Sequence, residues 1–376
     1  GVQPGSELDK NYINFSGSYE VAKGLTATAS INFTQQHGLG RYATGYGGNN
    51  NISSFREWWQ TNVDINAQKA AFDRTGENIT WNWGGGFPAR LGTIYWDNPY
   101  FAAIKNYSED ERLRYLGYVK LDYKINDWLS VMGRVSGDTY SQIQEERTAV
   151  GSVVNPVGDY TRRNQTYAEY NYDGLITAKK DLTEDVTANL TLGTNIRRTH
   201  VTGISAVTNG GLVVPGIYAL SNSVSPIEAP VELYSDIQVN GFFADGGIGY
   251  KDFLFFNGSF RRDIASTLPK ENNAYNYFSA STSFVFTKFI PENAILNFGK
   301  LRLNYAEVGG SAPFNTLADQ YVKPTAFGSA PLFSLPGTKN NNELVPERTK
   351  SFEVGTEFTM FDGRLHLDVN YFNSKS

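Results

Sequence analysis

Between residues 352 and 372 the chain reads "FEVGTEFTMFDGRLHLDVNYF", two alternating runs joined at an Asp-Gly. A period of two is the mark of a strand with one dry and one wet face. Asp-Gly between two such runs is the strongest short-range hairpin signal. Pairing around Asp362-Gly363 stacks Met360 on Leu365, Phe358 on Leu367, Thr356 on Val369 and Val354 on Tyr371. The opposite face sets Thr359 by His366, Gly355 by Asn370 and Glu357 opposite Asp368. Like charges directly opposed destabilise a sheet, so the face carrying Glu357 and Asp368 must be wet.

The same alternation runs from end to end. Ile13, Phe15, Tyr19 and Val21 lead through Ala22-Lys23-Gly24 to Leu25, Ala27, Ala29, Ile31 and Phe33. A three-residue loop there pairs Val21 with Leu25 and Phe15 with Ile31. Comparable hairpins follow around 126–128, 179–185, 251–253 and 290–294. About twelve strands result, each close to the roughly 9–11 residues a tilted strand needs to cross a bilayer. Long polar loops at 36–110, 141–165, 198–236, 261–274 and 309–347 separate these short bends. Long structureless loops are uncommon in compact soluble domains, whereas a membrane barrel has short periplasmic turns and long extracellular loops. The expected fold is therefore all-β, a transmembrane antiparallel up-and-down β-barrel. A soluble β-sandwich adhesin shares the alternation but not the alternating loop lengths.

Composition narrows the function. Charged residues make up 19 % of the 376 positions and net charge is −5, which leaves no basic footprint for nucleic acid. Cys is absent, so neither a disulfide framework nor a thiolate metal site exists. No run of about 18 apolar residues marks a transmembrane helix, and "GVQPGSELDK" at the start does not read as a signal peptide. His37, His200 and His366 are far apart and lie outside any metalloprotease pattern, so no metal or cofactor is expected. Acidic clusters at 108–112 and 144–147 read as rim positions, "GGG" at 84–86 as a pliable loop. Arg162-Arg163, Arg197-Arg198 and Arg261-Arg262 read as rim charge or contacts with lipopolysaccharide phosphates. No catalytic constellation remains.

Loop 36–110 holds Trp58, Trp59, Trp81, Trp83 and Trp96, five of the six Trp, together with Tyr100. Such rings either pack a loop of this length on itself or grip a partner or substrate. In the last hairpin, Glu353, Glu357 and Asp368 are expected to face a wet lumen. Val354, Phe358, Met360, Leu365, Leu367 and Val369 are expected to face lipid.

"NELVPERTKSFEVGTEFTMFDGRLHLDVNYFNSKS" (342–376) resembles the late-barrel signature of TonB-dependent outer-membrane transporters. "IYWDNPYF" (94–101), "YVKLDYKINDWLSVMGRVSGDTYSQIQEERTAVGS" (118–152) and "LTLGTNIRR" (190–198) resemble the SusC/RagA branch of Bacteroidetes. "KLRLNYAEVGG" (300–310) and "NGSFRRDIAS" (257–266) resemble two further strand signatures of that branch. Ala306 and Gly310 stand in the first where Gly and Asn are usual, and the second lacks its usual Gly. The resemblance implies an outer-membrane importer of glycans or peptides with a barrel of about 22 strands. It also implies a SusD/RagB-like surface lipoprotein as lid, and energy from the TonB complex delivered to a plug. This chain shows about half those strands and no plug-like segment, so it reads as the middle of a larger polypeptide. Outer-membrane lipid and lipopolysaccharide would surround it. Two other membrane readings remain: a structural subunit of a larger outer-membrane assembly, without import, and a twelve-strand passive pore.

Overall fold

The computed structural model describes residues 3–41, 45–46, 50–53, 59–85, 90–291, 295–324 and 326–376. Twelve long strands form one antiparallel sheet in chain order: β1 (Glu7–Ala22), β2 (Leu25–Leu39), β5 (Ser108–Lys124), β6 (Leu129–Thr148), β7 (Asp159–Asp181), β8 (Val186–Val207), β11 (Val231–Tyr250), β12 (Leu254–Ala265), β13 (Ala274–Val285), β14 (Leu296–Gly310), β15 (Glu347–Met360) and β16 (Leu365–Lys375). Four short strands lie in the connections: β3 (Trp83–Gly85) pairs with β4 (Arg90–Thr93), and β9 (Asn209–Leu212) with β10 (Ser223–Ser225). Helices α1 (Ile65–Thr75) and α2 (Pro99–Lys105) belong to the longest connection. No described helix is long and apolar enough to cross a membrane.

Register sorts the side chains onto two faces. On one, Phe15 meets Ile31, Val119 meets Val135, Ile176 meets Leu192, Ile248 meets Phe256, and Leu303 meets Val354. These side chains form an exposed apolar band across all twelve strands. The other face carries Thr, Ser, Asn and charge. In the last hairpin the pairs run as the alternation requires, from Met360 with Leu365 and Phe358 with Leu367 to Glu357 with Asp368. Val354, Phe358, Met360, Leu365, Leu367 and Val369 share the apolar face, and Glu353, Glu357 and Asp368 the polar one.

Three expectations need correcting. The first turn is two residues, Lys23-Gly24. Phe15 pairs with Ile31, but a bulge at Val21 brings Ala22 opposite Leu25. Gly24 sits at φ 74°, and a Cβ there would lie 2.8 Å from the Lys124 carbonyl oxygen, so the turn takes only glycine. The strands are also longer than expected, 11 to 23 residues. Loops 141–165 and 198–236 shrink to 149–158 and 208–230, and 36–110, 261–274 and 309–347 to 40–107, 266–273 and 311–346. Beyond the apolar band both faces are wet, so hydrophobic alternation stops while the hydrogen-bond ladder continues. Finally, the alternation of Phe278, Ala280, Phe284 and Phe286 reads as one strand, but Phe286 leaves the ladder in a 3₁₀ turn, Phe286–Phe289, and lays its ring over Gly299 and edge-on to Phe358 at 6.1 Å.

Arginine at Phe358 or Leu367 places a charge in the apolar band and should cost about 2–4 kcal/mol if the site lies near the bilayer midplane. Glu357→Gln keeps the polar face polar and should be mild. Urea unfolding of the assembled barrel separates the two, and equal effects would refute the assignment of faces.

Candidate functional site

The polar face is a fabric of cross-strand ion pairs. Lys300 on β14 reaches Glu357 at 2.7 Å, and Arg302 reaches Asp368 at 2.6 Å and Asn370 at 2.9 Å. The opposed carboxylates of the last hairpin are thus each held by a cation from the neighbouring strand. Arg114 grips Asp138 through two parallel bonds of 2.7 and 2.5 Å, and Arg134 donates to Asp173 at 2.9 Å. Asn195 donates to the same Asp173 at 2.6 Å.

Nearer the long connections, aromatic plates join this fabric. Tyr140 and Tyr167 stack at 5.0 Å with ring planes 12° apart, and the Arg112 guanidinium lies 4.7 Å over the Tyr140 ring. The Tyr167 hydroxyl donates to Glu169 at 3.0 Å, and Thr199 donates to the same carboxylate at 3.1 Å. Farther along the wall Arg261 donates to Asp263 at 2.9 Å, the Tyr277 hydroxyl donates to that carboxylate, and Tyr275 stacks on Tyr277. Val239, Ala265, Leu268 and Tyr275 make a buried cluster there, with Ala312 and Leu344 packed against it. The wall therefore offers rings, cations and carboxylates side by side, suited to an extended polar chain. Arg261 stood out in the sequence only as rim charge, and the stacked pair did not stand out, because Tyr140 and Tyr167 meet only once register is known across the 149–158 connection.

Connection 40–107 has a core of its own. Asp64 caps α1 by accepting from the Asn66 N–H, and Gly76 at φ 68° ends it. Phe72 and Phe101 pack edge to face at 6.4 Å beside Ala149 and Tyr100. Asn98, 0 % exposed, is the knot. Its Nδ2 donates to the carbonyls of Gln68 and Ile79, each at 2.8 Å, and its Oδ1 accepts from the Tyr100 N–H at 2.9 Å. Asp97 beside it accepts from Asn78, Asn106, Ser152 and the Val153 N–H, tying in connection 149–158.

Trp59 lies edge-on to Trp81 at 6.1 Å and donates to the Val63 carbonyl at 3.2 Å. The Trp96 carbonyl accepts from Asn82 and Thr93, each at 2.7 Å. Trp83 is half exposed, and Tyr95 is exposed as well. Trp58 lies outside the described residues. Above the apolar face, Arg147 sits 4.7 Å over the Tyr107 ring, 6.0 Å from Tyr160 and 5.9 Å from Tyr218, and pairs with Glu109 at 2.8 Å and with Glu145. Burial pushes the Tyr218 hydroxyl, in connection 208–230, above the usual tyrosine range. His37 lies 3.1 Å from Glu109, His200 4.0 Å from Asp236, and His366 beside Thr359. Among the described residues no three potential ligands gather in metal-binding geometry.

An antiparallel sheet this long, apolar on one face and ion-paired on the other, defines the wall of an outer-membrane barrel. Residues 57–376 match the family described as TonB dependent receptor-like, beta-barrel, and the chain belongs to it. It is 23 % identical over 304 residues to TonB-dependent receptor P26 of Formosa agariphila, covering 77 % of this chain and 30 % of that protein. Its fold is similar to that in the structure of the RagAB peptide transporter, with TM-score 0.76 and 15 % identity over 98 % of this chain and 40 % of the other. It is also similar to the ferric-catecholate import receptor Fiu of E. coli K12, with TM-score 0.58 and 13 % identity over 99 % of this chain and 52 % of Fiu. The chain thus spans less than a third of its curated relative and about two fifths of the RagAB chain.

Asn98→Ala should unpin connection 40–107, since each buried group left without a partner costs about 1–3 kcal/mol. Limited proteolysis should then cut between residues 59 and 105 while the barrel assembles normally. Unchanged protection would show that the knot does not hold the connection.

Proposed function

We propose that this chain forms wall and extracellular rim of a SusC/RagA-like importer that moves peptides or glycans across the outer membrane. Further strands of the same polypeptide would pair onto β1 and β16, and a plug would answer to the TonB complex. The observation that carries the reading is the polar face, where stacked Tyr140 and Tyr167 lie between Arg112 and Glu169 above a lattice of ion pairs. In a barrel this face lines the lumen and the apolar band meets lipid. Glu353, Glu357 and Asp368 then line the lumen beside plug or cargo. Val354, Phe358, Met360, Leu365, Leu367 and Val369 meet lipid.

A substrate that must pass needs weak contacts spread along its path, and paired charges supply them without trapping it. Lys300, Arg302, Arg114, Arg134 and Arg261 are each already answered by a carboxylate, so this part of the wall takes up peptide or sugar groups by hydrogen bonds and ring contact. The rim supports the same reading. Exposed Trp83 and Tyr95 on a connection braced by Asn98 suit a SusD/RagB-like lipoprotein lid.

The test uses the full polypeptide in its own outer membrane. Co-purification should recover a surface lipoprotein, and labelled oligopeptide or oligosaccharide should accumulate only with TonB coupling intact. Tyr140→Ala with Tyr167→Ala should raise the half-saturating concentration about 3- to 10-fold, the effect of losing about 0.5–1.5 kcal/mol of ring contact. A stable complex without uptake of either polymer would overturn import and assign the chain to a scaffolding role.

A further inference from the structure

Alternation divides the arginine doublets of β7 and β8 between the two faces of the sheet. The members on the apolar side are paired, Arg162 with Glu145 at 3.2 Å and Arg198 with Asp236 at 2.9 Å. The members on the polar face are Arg163 and Arg197, which share it with Tyr167, Glu169 and Asp173. Both are exposed, and among the described residues neither guanidinium makes an ion pair or a hydrogen bond. Arg112 on β5 belongs with them. Its guanidinium lies over the Tyr140 ring and donates only to the neutral Oε1 of Gln142, at 2.6 and 3.2 Å.

Register sets each of the three against a neutral amide: Arg163 opposite Gln144, Arg112 opposite Gln142 and Arg197 opposite Asn171. Carboxylates stand only on the diagonals, Glu146 from Arg163, and Glu169 and Asp173 from Arg197. Each of those is engaged elsewhere. Arg41 holds Glu146, and Arg134 and Asn195 hold Asp173. Glu169 accepts from Tyr167 at 3.0 Å and from Thr199 and Asn171 at 3.1 Å. The free guanidiniums therefore line one side of the Tyr140–Tyr167 stack and continue past it. From Arg163 to Asn171, the partner of Arg197, β7 rises about 26 Å.

We propose, on the reading that this face lines the lumen of an importer, that Arg112, Arg163 and Arg197 select an acidic oligopeptide as cargo. A guanidinium presents a planar fork that matches a carboxylate through parallel charge-assisted bonds. Where the wall already supplies the carboxylate, as for Arg114 and Arg134, that fork is taken. On Arg163 and Arg197 it is free, and the amides opposite them add donors without competing charge. Peptide is favoured over glycan because a sugar ring seeks an open aromatic face. Tyr140 is covered by Tyr167 and by the Arg112 guanidinium. The side-chain carboxylates of an extended peptide need only cations spaced along a line, and these three residues supply them.

The test takes the full polypeptide purified from its own outer membrane, with any lipoprotein that accompanies it. Two short fluorescent peptides are titrated, one of alternating Glu and Ser and one with Gln in place of every Glu. Wild-type protein should bind the acidic peptide about 10-fold more tightly, the effect of one charge-assisted bond. Arg163→Gln with Arg197→Gln should abolish that preference, while Arg162→Gln with Arg198→Gln should preserve it. Equal binding of the two peptides by wild-type protein, or binding of neither, would overturn the proposal whatever any variant does. So would a preference that survives the loss of Arg163 and Arg197. Displacement of the acidic peptide by an equal concentration of oligogalacturonate would overturn it too, and assign the arginines to an acidic glycan. No uptake is measured. Uptake without this preference sinks only the selection of acidic cargo, and the preference without uptake sinks only import.

Discussion

In hydrocarbon a backbone N–H or C=O finds no water, so each must bond within the protein. The continuous ladder from β1 to β16 meets that demand strand by strand. The rest of the architecture depends on it, because a ladder fixes register and register fixes which side chains share a face. Slipping one strand by a single residue would turn its charges to lipid and its apolar residues to the lumen. That penalty holds Ile31 on Phe15 and Leu367 on Phe358 although no side-chain core lies beneath either pair.

The ladder also explains how the polar face tolerates its charges. Glu357 and Asp368 oppose each other because their strands pair there, and a hairpin alone would suffer the repulsion. A third strand removes the difficulty. Register brings Lys300 opposite Glu357, and Arg302 spans to Asp368. Single pairs of this partly exposed kind contribute little, about 0–1 kcal/mol. Their value lies in local neutrality, with Glu357 and Asp368 each answered by a cation of β14.

The last hairpin was legible in the sequence because its signals are local, an Asp-Gly bend and two alternating runs within 21 residues. The twelve strands followed for the same reason. The lattice was not legible, since Arg114 finds Asp138, and Tyr140 finds Tyr167, only through pairings set by a neighbouring strand. Trp density drew attention to connection 40–107, and the stretch 94–101 was quoted for its resemblance, but neither revealed that Asn98 holds its two helices and the Ile79 segment together. Strand ends were misjudged wherever both faces are wet, as at Thr148 and Asp159, because hydrophobic period reports burial and not hydrogen bonding.

Those same strand ends relate the wall to its environment. A strand of 23 residues such as β7 rises about 75 Å along its axis, about 50 Å of height at a tilt near 45°, against an apolar band about 25 Å tall. Much of the wall therefore stands outside the bilayer, with water on both faces.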